Sequence, residues 1–203
     1  MSYNKPFSES CEQNKQVILD VLKNEFSDIQ HVLEIGSGTG QHAVFFAQYL
    51  NHLVWQCSDR HENLSGIKTW LDDADLANIP MVLELDVLAD NWPDLKTDAV
   101  FSANAVHIMS WQAVEAMFRG IDQLLNEEGL LCLYGPFNYN DAYTSESNAR
   151  FDEWLKARDS QSAIRDFEAV DQLAQNIGLC LINDHTMPAN NRTLIWQRKS
   201  VQF

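Results

Sequence analysis

The segment Glu34-Ile35-Gly36-Ser37-Gly38-Thr39-Gly40 contains the residues whose types and spacing most clearly point to chemistry. It lies between a short strand-like run and the helix-like run Ala43-Val44-Phe45-Phe46. Glycines permit a sharp turn and a close ligand approach, because they have no Cβ to collide with. A helix that begins after the turn directs its free N–H groups into the same space. The segment therefore predicts a nucleotide-like cofactor site, with a tight turn that binds nothing as the alternative.

The spacing of the glycines separates two classes of cofactor. The dinucleotide fingerprint G-x-G-x-x-G would place its third glycine at position 41, but that residue is Gln41 and the glycine is Gly40. The pattern E-x-G-x-G-x-G, which starts at Glu34, resembles motif I of the class I S-adenosylmethionine-dependent methyltransferases. The resemblance implies S-adenosyl-L-methionine as the cofactor. A nicotinamide cofactor is the less favoured alternative.

Acidic residues follow the next two predicted strands. Asp59, next to Arg60, ends the second strand about 20 residues beyond the glycine turn, where a carboxylate accepts from ribose hydroxyls. Its alternative role is that of a turn acid or a helix cap. Asp86 follows the predicted strand 81–85 and matches the methyltransferase position that accepts from the adenine amino group, with Val87 available to cover the ring. An ordinary turn at the strand end is the alternative.

Four polar residues near these motifs complete the predicted cofactor and catalytic sets. Glu34 lies inside an apolar strand, so its carboxylate needs donors; it either bonds the N–H groups of the glycine loop or contacts the amino-acid end of the cofactor. Asn104 follows the predicted strand 98–103, at the place where methyltransferases hold the methionine moiety. His107 is a candidate general base, with a structural role as the alternative. His42, beside the glycine loop, is expected to line the pocket. The predicted cofactor-binding residues are Glu34, Gly36, Ser37, Gly38, Gly40, His42, Asp59, Arg60, Asp86, Val87 and Asn104.

Apolar strand-like runs alternate with helical periodicity along the chain, which predicts βαβ units and a mostly parallel sheet. The predicted strands are 31–35, 53–57, 81–85, 98–103, 130–134, 179–182 and 193–197. The predicted helices are 9–26, 41–50, 62–75, one that Ser110 caps and Glu127-Glu128-Gly129 ends, 147–158, and one from Phe167 to Ile177 with Asp166 as its cap.

The last two predicted strands discriminate between folds. The ten residues from Asn183 to Arg192 are rich in loop-forming side chains and too few for a crossover between parallel strands. They predict an antiparallel hairpin at the edge of the sheet, a feature of class I methyltransferases. The predicted fold is α/β: a doubly wound, Rossmann-like, seven-stranded and mostly parallel sheet with a C-terminal antiparallel hairpin strand and helices on both faces.

Composition limits the kinds of partner. A chain of 203 residues suits one domain, 1–203, with an N-terminal helical segment 1–28 and an insertion 136–166. The net charge of −15 disfavours nucleic acid. No apolar run predicts a membrane span or a signal peptide. The four cysteines are scattered and the histidines lack ligand spacing, so we expect no metal site, buried free thiols at Cys57, Cys132 and Cys180, and a cytoplasmic location. The oligomeric state stays open.

Segments spread over nearly the whole chain resemble one methyltransferase-like family that is described as a domain of unknown function and includes an animal methyltransferase-like protein. They are Phe7 to Asn14, Glu34 to His42, Trp55 to Arg60, Asn104 to His107, Gly135 to Phe137, Ile164 to Glu168 and Met187 to Asn191. The resemblance implies fold and cofactor rather than a reaction. Polar residues of these segments, together with Tyr139, give a candidate substrate set of Asn14, Arg165, Asp166, Asn190 and Asn191 and a catalytic set of His107 and Tyr139. A place on the first helix, a helix cap and turn positions are the plain alternatives for Asn14, Asp166 and the two later asparagines.

Residues 136–166 connect the predicted strand 130–134 to the predicted helix from Phe167 to Ile177. This connection is far longer than is usual between a strand and a helix, and long loops are often functional lids. Its aromatic residues are expected to cover a pocket: Phe137, Tyr139, Tyr143, Phe151 and Trp154. Residues 1–14, with Tyr3 and Phe7, are expected to fold across the same opening. The sequence therefore predicts a methyltransferase with a small-molecule acceptor. A non-catalytic cofactor-binding or scaffold protein is the alternative, and an NAD-dependent oxidoreductase is the less favoured one.

Overall fold

Helices and strands alternate along residues 5–199, which the computed structural model describes; residues 1–4 and 200–203, and so the predicted cover residue Tyr3, lie outside the described residues. The helices are α1 Glu9–Glu25, α2 Gln41–Tyr49, α3 His61–Ala74, α4 Trp111–Leu124, α5 Glu146–Arg158 and α6 Phe167–Asn176. The strands are β1 His31–Ile35, β2 Val54–Asp59, β3 Leu83–Glu84, β4 Thr97–Ala103, β5 Leu125–Gly135, β6 Phe137–Asn138, β7 Arg165–Asp166, β8 Leu179–Met187 and β9 Asn191–Arg198. None of the helices within residues 5–199 combines the length and apolar character that a bilayer crossing needs.

Seven strands form one sheet in the order β3-β2-β1-β4-β5-β9-β8. The pairs on the β3 side of β5 are parallel, whereas β9 is antiparallel to both β5 and β8. The chain winds outward from β1 to β3 and then returns to β4, so a crevice opens between β1 and β4 at their carboxyl ends. The predicted seven-stranded, mostly parallel sheet with an antiparallel hairpin strand is confirmed.

Helices cover both faces of the sheet, because each inner strand is apolar on both sides. On the face of α1, α2 and α3, the rings of Phe46, Trp55 and Phe101 meet with centroids 5.3–5.5 Å apart. On the face of α4 and α6, Met117 and Trp196 belong to the second buried cluster. Ser110 caps α4 as predicted, since its Oγ accepts from the N–H of Ala113 at 3.2 Å. The two apolar layers fix the strand ends that form the site.

Several predicted element boundaries are wrong. Helix α4 ends at Leu124, and residues 125–129 form an irregular start of β5, with Glu128 at φ +61°. The third strand is short, covering Leu83–Glu84. Asp166 precedes α6, but its side chain makes no cap hydrogen bond. Of the three cysteines expected to be buried, Cys57 and Cys132 are buried, while Cys180 is partly exposed because β8 is an edge strand.

The predicted loop 183–192 is instead mostly extended, because its polar side chains find partners along the sheet edge. Asn183 Nδ2 donates to the Glu25 carboxylate at 2.9 Å, and His185 Nε2 lies 2.8 Å from the same carboxylate. The Arg192 guanidinium donates to Asp184 at 2.7 Å. These pairs extend β8 and β9 until the three-residue turn Pro188–Asn190 joins them.

Candidate functional site

A cleft of about 920 Å³ lies at the carboxyl ends of β1 to β4, where a doubly wound sheet binds its ligands. Nine of the predicted cofactor residues line it: Gly36, Ser37, Gly38, His42, Asp59, Arg60, Asp86, Val87 and Asn104. Glu34 and Gly40 do not line it; Gly40 lies at the start of α2 with φ +88°. The sequence pattern thus brings together residues from three strand ends and one loop.

The glycine loop is tied to β2 and leaves one backbone face open. The N–H groups of Gly36 and Ser37 both donate to the carbonyl of Ser58 at 3.0 Å. The N–H of Gly38 donates to Asp59 Oδ2 at 2.6 Å. Gly38 has φ +61°, and a Cβ built there would meet no atom within 4 Å, so this residue faces open space in the cleft. A ligand can approach the backbone at this point.

Asp59 is 7% exposed at the end of β2. Its Oδ1 accepts from the N–H of Arg60 at 2.7 Å and from Asn63 Nδ2 at 2.8 Å, while Oδ2 accepts from Gly38. A carboxylate offers about four lone-pair sites, so three are occupied and one remains on Oδ2. The residue therefore fits one hydroxyl donor from a ligand as it stands, and a second if Asn63 moves away.

Glu34 supports the glycine loop from behind and is 1% exposed. Its Oε2 accepts from Ser37 Oγ at 2.9 Å and from Trp55 Nε1 at 3.1 Å. Burial raises the pKa of this carboxyl to about 7, against the opposing effect of the two hydrogen bonds. Of the two predicted roles, the structure favours loop support, but through the Ser37 hydroxyl rather than through loop N–H groups.

His42 and Asn14 form a hydrogen-bonded pair at the edge of the cleft. His42 Nε2 lies 2.7 Å from Asn14 Oδ1, and its ring stacks on Phe46 at 5.2 Å. Burial lowers the pKa of His42 to about 4, so the ring is neutral near pH 7. Asn14 itself does not line the cleft. A neutral, oriented imidazole thus forms part of the wall, and the predicted substrate residue Asn14 orients it.

The remaining cofactor candidates are placed by main-chain contacts. Asn104 adopts φ +57°, and its N–H donates to the carbonyl of Tyr134 at 2.8 Å, which anchors the loop after β4 to β5. Asp86 is exposed, and its Oδ1 accepts from the N–H of Leu88 at 3.0 Å. Val87 is buried beside it. Asn104 thus lies at the end of β4, next to the glycine loop after β1, whereas Asp86 and Val87 follow β3 at the edge of the sheet.

The insertion, residues 136–166, holds the loop after β4 through hydrogen bonds to the backbone carbonyls of that loop. Residues 161–165 contact four consecutive carbonyls, those of residues 106–109. The N–H of Ala163 donates to His107 at 3.0 Å, and Ser162 Oγ donates to Ile108 at 2.7 Å. The Arg165 guanidinium donates to Val106, Met109 and Gln161. Arg165, predicted to bind substrate, is therefore occupied in holding this loop.

Both predicted catalytic residues lie away from the cleft wall. His107 is 5% exposed, with its ring 5.4 Å from Phe151 of the insertion. Burial and the Arg165 charge lower its pKa to about 4. Tyr139 donates its hydroxyl to Asp184 Oδ2 at 2.8 Å, and burial with this carboxylate raises its pKa. Neither residue is among those that line the cleft.

The other predicted substrate residues, Asp166, Asn190 and Asn191, do not line the cleft. Asn190 Nδ2 donates to Ser147 Oγ at 3.2 Å, and Asn191 Nδ2 donates to Tyr134 Oη at 3.1 Å. Asp166 Oδ1 is buried without a partner among the described residues. The predicted aromatic cover is also wrong, since the insertion residues that line the cleft are Asp159 and Gln161. Phe137 is in the core, and Tyr143 and Trp154 are exposed.

Sequence reasoning missed several residues of the cleft wall. Ser8, Ser10 and Cys11 of the N-terminal segment line it, as does Thr39 of the loop. The N-terminal segment as a whole was predicted to cover the opening, but no pattern singled out these side chains. Within residues 5–199, no group of three or more His, Cys, Asp or Glu side chains is arranged to hold a metal ion.

The strand order and the cleft at the glycine loop define the fold of S-adenosylmethionine-dependent methyltransferases. An O-methyltransferase family protein from Burkholderia thailandensis superposes with a TM-score of 0.83 at 16% identity, covering 96% of this chain and 59% of that one. The methyltransferase SibL gives 0.79 at 18%, covering 94% and 56%. Human N-acetylserotonin methyltransferase in complex with SAM gives 0.79 at 14%, covering 95% and 53%.

This chain thus spans 53–59% of the length of these three proteins. At identities of 14–18%, the likeness establishes the fold. The chain belongs to the family described as "Protein of unknown function (DUF938)", which matches residues 5–198.

Proposed function

We propose that this protein is an S-adenosylmethionine-dependent methyltransferase with a small-molecule acceptor. The observation that carries the proposal is the Asp59 carboxylate, which keeps one lone pair open to the cleft beside the N–H of Gly38. Asp59 would hold the ribose, Asp86 and Val87 the adenine, and Asn104 the amino-acid end. The bound cofactor supplies an electrophilic methyl group on a sulfonium.

The chain contributes mainly position and exclusion of water. The tied glycine loop and the anchored Asn104 fix two adjacent parts of the cleft wall, and holding reactants in line lowers the barrier without a covalent intermediate. His42 is the imidazole in the described cleft wall, and it is neutral and weakly basic. The site therefore suits an acceptor whose nucleophilic atom needs little help to lose its proton.

The size and charge of the cleft support a small, uncharged or cationic acceptor. A volume of about 920 Å³ lies within the range of about 300–1,000 Å³ for small-molecule sites. Four carboxylates line it, at Asp59, Glu62, Asp86 and Asp159, against the one guanidinium of Arg60 in the described wall. Arg60 pairs with Glu62 at 2.9 Å. Anionic acceptors, including nucleic acid, are disfavoured by this field.

Titration calorimetry with S-adenosylhomocysteine and with NADH tests the cofactor. We expect saturable binding of S-adenosylhomocysteine and none of NADH, because Gln41 breaks the dinucleotide glycine pattern. Saturable NADH binding without S-adenosylhomocysteine binding would reverse the assignment.

A non-catalytic cofactor-binding protein is the second candidate, and the burial of His107 away from the cleft favours it. Incubation with methyl-labelled S-adenosylmethionine and a fractionated small-molecule extract distinguishes the two. Label that moves into a small molecule with the wild type, but not with Asp59→Ala, supports the enzyme. Retention of all label on the intact cofactor supports the non-catalytic protein.

A further inference from the structure

Residues 5–8, here called the strap, cross the front of the cleft from α3 to α2. At the α3 end, Trp70 Nε1 donates to the carbonyl of Pro6 at 2.7 Å, and Lys5 Nζ lies 3.8 Å above the Trp70 ring. At the α2 end, Gln41 Oε1 accepts from the N–H of Ser8, and Gln41 Nε2 donates to the carbonyl of Ser8 at 3.4 Å. Pro6 and Ser8 both line the cleft. The strap is therefore a wall of the cofactor site.

Gln41 links the strap to the glycine loop. Gln41 is 3% exposed, and the oxygen and the nitrogen of its side-chain amide both bond to the backbone of Ser8. Its Oε1 also accepts from Thr39 Oγ1 at 3.0 Å, and Thr39 lines the cleft. A buried amide without partners is costly, so these bonds favour the closed strap. The residue that replaces the third glycine of the dinucleotide pattern thus has a specific contact.

Gly66 gives independent evidence that the strap packs closely on α3. A Cβ built at Gly66 would lie 2.8 Å from Pro6 Cγ, which is closer than carbon atoms tolerate. Glycine inside a helix is unfavourable relative to alanine, and here it makes room for Pro6. Gly66 also lines the cleft, so the helix surface, the strap and the site share one boundary.

The strap joins α1 at a point where it can separate without disturbing the core. Ser8 is the N-cap of α1, and its Oγ accepts from the N–H of Cys11 at 3.4 Å. The apolar anchors of α1 lie further along, at Ile18, Leu19 and Leu22. Besides the contacts given above, Lys5 Nζ pairs with Asp73 Oδ2 of α3 at 2.8 Å. Opening of the strap therefore requires the loss of this ion pair and of those hydrogen bonds and ring contacts, and it leaves the apolar anchors of α1 in place.

We propose that the strap retains the adenosyl cofactor: it closes the front of the cleft over the bound ligand and must detach from Gln41 and Trp70 before the ligand leaves. The proposal rests on the proposed function, because it takes S-adenosylmethionine or its product S-adenosylhomocysteine as the ligand. Gln41 and Trp70 act on retention through the strap and are positioning residues.

Stopped-flow displacement of S-adenosylhomocysteine tests the proposal. We expect Gln41→Ala to release the ligand about tenfold faster than the wild type, since two hydrogen bonds to the strap are lost. Trp70→Phe keeps the ring under Lys5 but loses the bond to Pro6, and we expect a smaller acceleration. Gln48→Ala, an exposed position on the same helix, is the matched control and should leave the rate unchanged.

Hydrogen exchange at the Ser8 amide gives a second readout that a general loss of stability would not reproduce. We expect S-adenosylhomocysteine to slow this exchange in the wild type and in Gln48→Ala, and to slow it much less in Gln41→Ala. Wild-type release rates in both folded strap variants would overturn the retention proposal while leaving the cofactor assignment intact. If the wild type does not bind S-adenosylhomocysteine at all, the proposed function falls, and the retention proposal with it.

Discussion

Two buried carboxylates, one behind the glycine loop and one in the insertion, show how differently these regions use polar groups. Glu34 and Asp152 are each 1% exposed. The donors to Glu34 are neutral, the Ser37 hydroxyl and the Trp55 indole, and burial raises its pKa to about 7. Burial also acts to raise the pKa of Asp152, but hydrogen bonds led by that of Lys156 outweigh it and the pKa is lowered. One carboxylate changes charge near neutrality, and the other stays ionised.

The difference follows from what each region has to hold. In the insertion, Asp152 also accepts from the N–H of Ile164 at 2.6 Å and from the Tyr143 hydroxyl at 2.7 Å, so it links α5 to the segment that contacts the cleft loop. At the glycine loop, Asp59 keeps a lone pair open to the cleft. Asp152 of the insertion is thus used within the protein, whereas Asp59 of the glycine-loop region remains partly available to a ligand.

The largest effect is expected from Asp152→Ala. The change leaves the buried N–H of Ile164 without its acceptor and removes the hydrogen bond from the hydroxyl of the exposed Tyr143, and each hydrogen bond to a charged group contributes about 1.5–3 kcal/mol. We expect the free energy of unfolding to fall by about 4 kcal/mol in urea denaturation. Lys156 is 52% exposed and adds little to that figure. Glu153→Ala, at the exposed neighbouring position, should change it little; equal losses in the two variants would contradict the linking role of Asp152.

The second effect is a pH dependence that Glu34→Gln removes. The folded pKa of Glu34 is raised from 4.5 to about 7, so the wild type loses stability as the pH rises through this interval. The unfolding free energy of Glu34→Gln relative to wild type should therefore rise by up to about 3 kcal/mol between pH 4.5 and pH 8. His42 and His107 titrate in both proteins, so the difference isolates Glu34. A difference that stays constant with pH would show that Glu34 ionises normally.

The glycine-loop region and the insertion also differ in how much of each the sequence could predict. The glycine spacing and Asp59 were predictable, because a strand end, a turn and the next strand end are close in the chain and the turn chemistry is local. The alternation of strands and helices likewise predicted the sheet. The length of strand 81–85 and the loop at 183–192 were predicted wrongly, and both segments include parts of the strands at the edges of the sheet. In the second segment, the side chains that stabilise the extended chain bond to residues far away in sequence, such as Glu25 for Asn183.

The insertion could not be predicted from its residue types, because its polar side chains bond to main-chain groups of distant loops. Arg165 looks like a substrate ligand in the sequence, yet its partners are the carbonyls of Val106, Met109 and Gln161. Every residue has a backbone carbonyl, so the residue types do not show which carbonyl will accept a given hydrogen bond. The same holds for Gln41, whose partner is the backbone of Ser8.

On the glycine-loop side, Asp59→Ala tests whether the open lone pair serves a ligand. Loss of a charged hydrogen bond to a ribose hydroxyl should weaken S-adenosylhomocysteine binding by about 1.5–3 kcal/mol, measured by calorimetry. Asp72→Ala, at an exposed carboxylate of the same helix that Asp59 precedes, is the control. Unchanged affinity with an intact fold would mean that Asp59 only holds the loop. The glycine-loop region would then resemble the insertion.

The smallest effect compares two matched helix caps, Ser8 on α1 and Ser145 on α5. The hydroxyl of Ser145 accepts from the N–H of Asn148 at 3.1 Å, much as Ser8 accepts from Cys11 at 3.4 Å. Loss of such a cap costs about 1 kcal/mol, so both alanine variants should unfold at slightly lower urea concentrations. Only Ser8 lines the cleft, so we expect S-adenosylhomocysteine affinity to fall in Ser8→Ala and to stay at the wild-type value in Ser145→Ala. Equal losses of affinity would show that the insertion is coupled to the cofactor site as strongly as the N-terminal segment, and the division between the two regions would not hold.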